Sequence, residues 1–266
     1  MLRAILNFLV KDSRRASSYR KRIKNFGKNF LAERRRKQER GKPITDLSRY
    51  EQQFYSQNGE DGILRAIFER IGETNRHSVE FGIHYEEGNT IYLRERGWNC
   101  LMMDGNGDGQ EIKSEFITAE NISELLTKYK VPAEFDLLSI DIDSNDYWVW
   151  KAINAFQPRV VVVEYNAMIP PTESLVRPYE PDAQWDGTNF YGASLLALYN
   201  LGKQKGYILI GCDSVAVNAF FVRNDLVMNH FVVQPLEQLY RPTTFGKQAD
   251  GKFMGHGPGN RKMVPV

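Results

Sequence analysis

Cysteine is nearly absent. Two residues in 266, Cys100 and Cys212, lie far apart and each falls inside a predicted strand, which argues against a disulfide framework and a thiolate metal site. Free buried thiols are expected instead. No run of about 18 apolar residues occurs, which excludes a spanning helix, and the short stretch from Leu2 to Val10 lacks the small-residue cleavage pattern of a signal peptide. A cytoplasmic protein is the expectation, either free or peripheral at the inner face of the membrane. Phosphate-binding loops are missing too: neither G-x-G-x-x-G nor G-x-x-x-x-G-K-[ST] occurs. What is present is 42% hydrophobic and 12% aromatic content, enough for one buried core with an appendage.

The net charge of +2 conceals an asymmetry. Residues 1–42 hold 15 of the 35 Lys/Arg and three of the 33 acids, Asp12, Glu33 and Glu39. A head so basic is a solvated or loosely helical segment, or it meets an anionic surface. Leu2, Ile5, Leu6 and Leu9 recur at helical spacing ahead of Arg14, Arg15, Arg20, Lys21, Arg22 and Lys24, a pattern suited to an anionic membrane. Docking on the acidic remainder of the chain is the next option. Nucleic acid ranks last, because the head has few aromatics for stacking.

Beyond the head, strands and helices alternate. Ile63, Ala66, Ile67 and Ile71 share one helical face over Glu60 to Ile71. Predicted strands follow at Ser78–Ile83, Asn99–Asp104, Phe116–Ile117, Phe135–Asp141 and Arg159–Glu164, with helices over Ile91–Arg96, around Ile122 to Tyr129, and around Val149 to Phe156. The unbroken valines of the fifth strand imply burial on both faces, as in a parallel sheet covered by helices. A helix over Gly192–Lys205 then precedes two strands, Gly206–Cys212 and Val217–Val222, whose short link permits only a hairpin. The expected fold is therefore α/β and doubly wound, a mostly parallel seven-stranded sheet with a C-terminal antiparallel hairpin. Its units are a basic segment 1–42, an α/β domain 43–225 interrupted by a loop insertion at 167–191, and an extension 226–266.

In open parallel sheets the ligand crevice lies beyond the carboxyl ends of the strands. Those ends carry Glu80 and Gly82, Asp104, Glu120 and Asn121, Asp141 and Asp143, and Glu164 and Asn166. Asp143, Ser144 and Glu120 also open helices and can serve as caps. An acid ending the second strand is placed to accept ribose hydroxyls. Glu86 and Glu87, in the loop where a pyrophosphate would sit, would repel it. A cofactor with a ribose and no phosphates fits, and S-adenosylmethionine, cationic at sulfur, is one. Of the four histidines, His84 alone follows a strand end, as a candidate base or a solvated loop residue. Trp148, Trp150 and Tyr147 sit at helical spacing and read as packing. Tyr179, Trp185, Phe190 and Tyr191 occupy the aperiodic insertion beside Asp182, Asp186 and Asn189 and suit stacking on a sugar or another ring, or packing of a lid on itself.

Four segments, Tyr55-Ser-Gln-Asn-Gly-Glu-Asp61, Val79-Glu-Phe-Gly82, Asp136-Leu-Leu-Ser-Ile-Asp-Ile-Asp143 and Val162-Val-Glu-Tyr-Asn166, together with the order of elements, resemble the FkbM-like group of class I S-adenosylmethionine-dependent methyltransferases. The likeness spans about Tyr55 to Arg223 and implies a Rossmann-like methyltransferase fold. It implies O-methylation of a saccharide or related hydroxylated metabolite. It places Glu80 and Gly82 on the methionine part, Asp104 on the ribose, Glu120 or Asn121 at the adenine edge, and Gln57 and Asn58 over the amino-acid end. Asp141, Asp143, Glu164 and Asn166 would face the acceptor, one of them as base, or Asp141, Asp143 and Glu164 would hold Mg²⁺ and acidify the acceptor hydroxyl. Two other readings stand beside this one. The first loop retains only Gly82 and Gly88, which suits a non-catalytic scaffold of the same fold at a membrane surface. The Asp141, Asp143 and Glu164 trio also suits a divalent-metal-dependent hydrolase.

Overall fold

The fold follows from where apolar residues alternate and where they run together. The computed structural model describes residues 25–83, 87–246 and 255–266. In chain order the elements are α1 (Phe26–Gln38), α2 (Glu60–Ile71), β1 (His77–Phe81), α3 (Ile91–Arg94), β2 (Asn99–Asp104), β3 (Ile112–Ser114), α4 (Ile122–Lys128), β4 (Glu134–Ile140), α5 (Asp146–Ala152) and β5 (Gln157–Glu164). They continue with β6 (Leu175–Val176), α6 (Leu195–Gln204), β7 (Tyr207–Cys212), β8 (Asn218–Arg223), α7 (Leu236–Leu239) and β9 (Val264–Pro265). Seven strands form one sheet in the order β3-β2-β1-β4-β5-β8-β7, in which only β8 opposes its neighbours. The chain is thus α/β with a mostly parallel sheet, and β6 pairs with β9 in a separate antiparallel ribbon.

The valine run of β5 explains the layering. Val160 and Val162 face the cluster that holds Ile63, Ile67 and Phe68 of α2, whereas Val161 and Val163 face Val149 and Trp150 of α5 with Leu198 and Leu201 of α6. All four are fully buried, each contributing about 1.5–3 kcal/mol of transfer free energy. Helices therefore cover both faces, as the continuous run requires.

At the amino-terminal end of the sheet one buried ion pair ties the elements together. Asp136 accepts the backbone N–H groups of Thr74, Asn75 and Arg76 and the Arg159 guanidinium at 2.7 Å. Arg159 donates onward to the carbonyls of Ile71 and Gly72. Burial pushes the Asp136 carboxyl up, but the guanidinium and amides overcome it and hold the group below the usual carboxylate range.

The third strand departs from expectation. It is Ile112–Ser114, in register with β2, rather than Phe116–Ile117. Asp108 accepts the N–H groups of Gln110 and Ile112 and turns the chain early, which leaves the Phe116 ring 46% exposed past the strand. An edge strand with a single buried residue, Ile112, has no apolar run by which to be read. The helix predicted from Gly192 starts at Leu195, because the Ser194 side chain caps it by accepting the Ala197 N–H.

Within the described part of the basic head, α1 docks on the acidic body: Lys28 pairs with Glu51 at 2.6 Å and Arg36 with Glu69 at 2.5 Å. The predicted helix over Leu2 to Leu9 lies outside the described residues. The C-terminal extension is built in: Leu236 and Leu239 of α7 join the main core. The final segment clips onto the insertion, with Asn189 donating its backbone N–H to Gly257, Gly259 donating to the Asn189 side chain, and Arg261 reaching Asp186 at 2.8 Å. Among the described residues no helix is long and apolar enough to cross a membrane.

Candidate functional site

β1, β2 and β4 all end at one crevice, and their approach demands glycine. Gly82 follows β1 at φ +74°, and a Cβ there would lie 1.5 Å from the Asp141 carbonyl oxygen. Its N–H donates to the Met103 carbonyl while the Asp141 N–H donates to Phe81, so three strand ends are tied within one turn. The result is a cavity of about 410 Å³, walled by Gly82, Asp104, Phe116, Ile117, Asp141 and Asp143, with Glu115 and Asn145 alongside and Trp185 of the insertion at its edge. Four acids line it. Among the described residues no Lys or Arg does.

The loop after β4 is shaped by Asp146. Its buried carboxylate accepts the N–H groups of Ile142 and Ser144, and the turn it holds puts Asp143 at φ +60° and exposes that side chain. Ligand atoms of Asp141, Asp143 and Glu164 consequently lie within 4.8 Å of one another. Such crowding has an electrostatic cost. Burial and then the neighbouring negative charges of Asp146 and Asp143 push the Asp141 carboxyl well up, and burial with the charge of Asp141 does the same to Glu164. Burial raises Asp146 to about 6. The Glu164 Oε2 atom is buried without a hydrogen-bond partner, as is the Oδ1 of Asn145 on the cavity wall. Close carboxylates with orphaned oxygens form an arrangement that a cation completes.

Of the residues singled out in the sequence, Gly82, Asp104, Asp141 and Asp143 meet at this cavity, and Glu164 adjoins the two aspartates. Others are engaged in the fold. Glu80 is buried and turned to the Asn89 and Thr90 N–H groups and the Thr90 hydroxyl, so it fastens the entry to α3 rather than lining the cavity. Asn166 is fully buried, donates both amide hydrogens to the carbonyls of Asn189 and Tyr191 and accepts from Met168, so it anchors the insertion and does not face the cavity. Glu120 accepts the Tyr179 hydroxyl, and Asn121 closes its own turn by accepting from Thr118 and donating to Phe116. Gln57 and Asn58 sit in the turn before α2, where Asn58 donates its N–H to Glu60. None of these six lines the cavity. His84 lies outside the described residues.

A histidine that the sequence did not single out arrives from the tail. The His256 ring sits 4.6 Å from Trp185, 5.8 Å from Tyr191 and 4.8 Å from Phe245, centroid to centroid. Burial lowers its pKa, while the charge of Asp143 pulls the other way. Tyr191, buried beside it, has its hydroxyl pKa pushed up by burial and by the charges of Glu164 and Asp141. The acidic trio is therefore flanked by an aromatic group drawn from the insertion and the tail. No local sequence signal marks His256, which reaches the site through the docking of the final segment on the insertion, including the pairing of Gly257 and Gly259 with Asn189. No family model matches the chain, and no curated protein matches it.

Proposed function

We propose that the protein is an S-adenosylmethionine-dependent methyltransferase that O-methylates a saccharide or a related hydroxylated metabolite. The observation that carries this reading is the cavity's lining: four acids, no Lys or Arg among the described residues, and Asp104 at the end of the second strand. That wall repels phosphates and suits a cationic ribose-bearing ligand. A parallel sheet closed by an antiparallel hairpin is consistent with the class I methyltransferase fold, and Gly82 allows the close approach of the β1 and β4 ends that forms this crevice.

Asp104 has one oxygen accepting the Asn106 N–H, which orients the carboxylate and leaves the other oxygen for a ribose. Phe116 and Ile117 offer an apolar wall for a base. The orphaned Asn145 Oδ1 is an acceptor for an ammonium or amine donor. When bound, the cofactor supplies the electrophilic methyl group. Asp141 stands at the strand end as the candidate base for the proton of an attacking hydroxyl, and burial with neighbouring negative charge makes its carboxylate more basic than an ordinary one. Trp185, Tyr191 and His256 give the acceptor side a rim on which a sugar ring can stack. In the alternative arrangement the hard oxygen donors of Asp141, Asp143 and Glu164 would hold Mg²⁺, which would acidify the acceptor hydroxyl in place of a free base. Two free cysteines suit a reducing, cytoplasmic setting.

Transfer of a labelled methyl group from S-adenosylmethionine to hydroxylated acceptors tests the proposal, with Asp141→Asn as the control that keeps the volume and loses the base. A drop in turnover of at least about 100-fold is expected. The same trio favours a second reading, a divalent-metal-dependent hydrolase. Magnesium-dependent ester hydrolysis without the cofactor, together with no methyl transfer, would establish that alternative.

A further inference from the structure

α1 is fixed to the body by one side and bare on the other. On the inner side Ala32 is buried, Asn29 accepts the Gln53 N–H, Gln52 donates to the Asn29 carbonyl, and Arg36 bridges Glu33 and Glu69. These contacts set the helix's rotation. The outer side then presents Phe26 at 70% exposure with Phe30 and Leu31 at 59% each, and the two rings stack one turn apart with centroids 6.3 Å from each other. Three of the nine large apolar side chains exposed among the described residues are on this single helix. The patch continues through a groove of about 430 Å³ toward Phe54, Tyr55 and Tyr92.

Charge indicates what covers it. Arg34 and Lys37 are exposed on the same side as the phenylalanines, one to two turns along. The acids nearby are paired: Glu33 with Arg36, Arg65 and more distantly Lys37, Glu39 with Arg49 and Tyr50, and Glu95, in the groove, with Arg94. Upstream, residues 1–24 add eight Lys/Arg against the single Asp12. Aromatic side chains that can enter a headgroup layer, backed by a run of cations that outnumbers the nearby acids, match an anionic lipid surface, where apolar insertion and electrostatic attraction act together. Two rings clustered within one helical turn suit insertion into a headgroup layer better than the spaced stacking platforms of single-strand binders.

We infer that α1, through Phe26, Phe30 and Leu31 and the basic residues around them, docks this protein on an anionic membrane surface. The inference is independent of the methyl-transfer reading, since it uses no residue of the cavity. Docking has a defined geometry, because α1 is pinned to the turn that carries Gln52 and Gln53.

Sedimentation of the full chain with phosphatidylcholine vesicles, with and without about one third phosphatidylserine, is the test. Binding is expected only to the anionic vesicles and should weaken with added salt. The pair Phe26→Ser and Phe30→Ser should reduce the bound fraction about tenfold with an unchanged unfolding midpoint, and Arg34→Glu with Lys37→Glu should do likewise. Three results would overturn the inference: equal binding to neutral vesicles, anionic binding that neither pair alters, or a single-stranded oligonucleotide that binds the chain and displaces it from vesicles through the same four side chains. Retained cofactor binding in both pairs would separate this outcome from failure of the cavity reading.

Discussion

Asp136 and Asp141 belong to opposite ends of the same strand, yet they live in opposite electrostatic worlds. Asp136, at the amino-terminal end of β4, is sealed by a guanidinium and three backbone amides and held below the usual carboxylate range. Asp141, just past the other end, meets Asp143, Asp146, Glu80 and Glu60, whose charges add to burial and push it well up. One end of the sheet is electrostatically complete and serves stability. The other holds like charges in a space lined by no Lys or Arg among the described residues, an arrangement that folding alone does not favour and that a cationic ligand relieves.

The contrast breaks most directly at the complete end. Asp136→Ala strands the buried Arg159, and a loss of about 3–5 kcal/mol is expected from urea unfolding. A loss under about 1 kcal/mol would mean that this end is no more constrained than a surface pair. Next in size is Gly82→Ala. The positive φ alone costs about 1–3 kcal/mol, and the methyl group would also meet the Asp141 carbonyl, so thermal stability and cofactor binding should both fall.

The acidic end should respond with the opposite sign. Glu164→Gln removes one of the crowded charges, so at pH 8 and without ligand its stability should rise, on the order of 1 kcal/mol, while methyl transfer or metal affinity falls. The pH profile of the unligated protein follows from the same shifts. Burial raises Glu80 to about 7, Asp213 to about 7 and Asp61 to about 6, so between the ordinary carboxylate values and these the folded state binds more protons than the unfolded one. These carboxyls' contribution to stability then declines as pH rises from about 4.5 through about 7, opposed in the upper part of the window by the lowered His77 and His256, and magnesium should restore part of any loss at the upper end. A profile that still rises over that window in a variant with His77 and His256 replaced by Gln would contradict the raised carboxyls. The smallest effect belongs to the clip between tail and insertion: Arg261→Ala breaks exposed pairs with Asp186 and Glu180 and should cost less than about 1 kcal/mol by the same unfolding measurement.

How far these features could be read in the chain depends on how local their causes are. β2 matches its predicted bounds, Asn99 to Asp104, because an apolar run ends there on an acid and a glycine. α2 matches because Ile63, Ala66 and Ile67 keep a 3.6-residue period. β3 escaped, since an edge strand needs only one buried side chain. At the site, Gly82, Asp104, Asp141 and Asp143 could be chosen from position alone, as strand ends must converge in a parallel sheet. Glu80 and Asn166 also occupy strand ends, but their partners, Thr90 and Tyr191, sit well along the chain and turn them into fasteners. His256 illustrates the limit best. Its place beside Trp185 depends on the final segment pairing with the insertion, a contact with no local periodicity to announce it.

Calorimetric titration of S-adenosylmethionine and its demethylated product into the wild-type protein and Asp104→Ala addresses the central claim most directly, that the acid-lined cavity receives a cationic ribose-bearing cofactor. Micromolar binding, about −8 kcal/mol, is predicted for the wild type, with a loss of at least about 100-fold in the variant. Absence of binding by either compound, or equal affinity in Asp104→Ala, would contradict it.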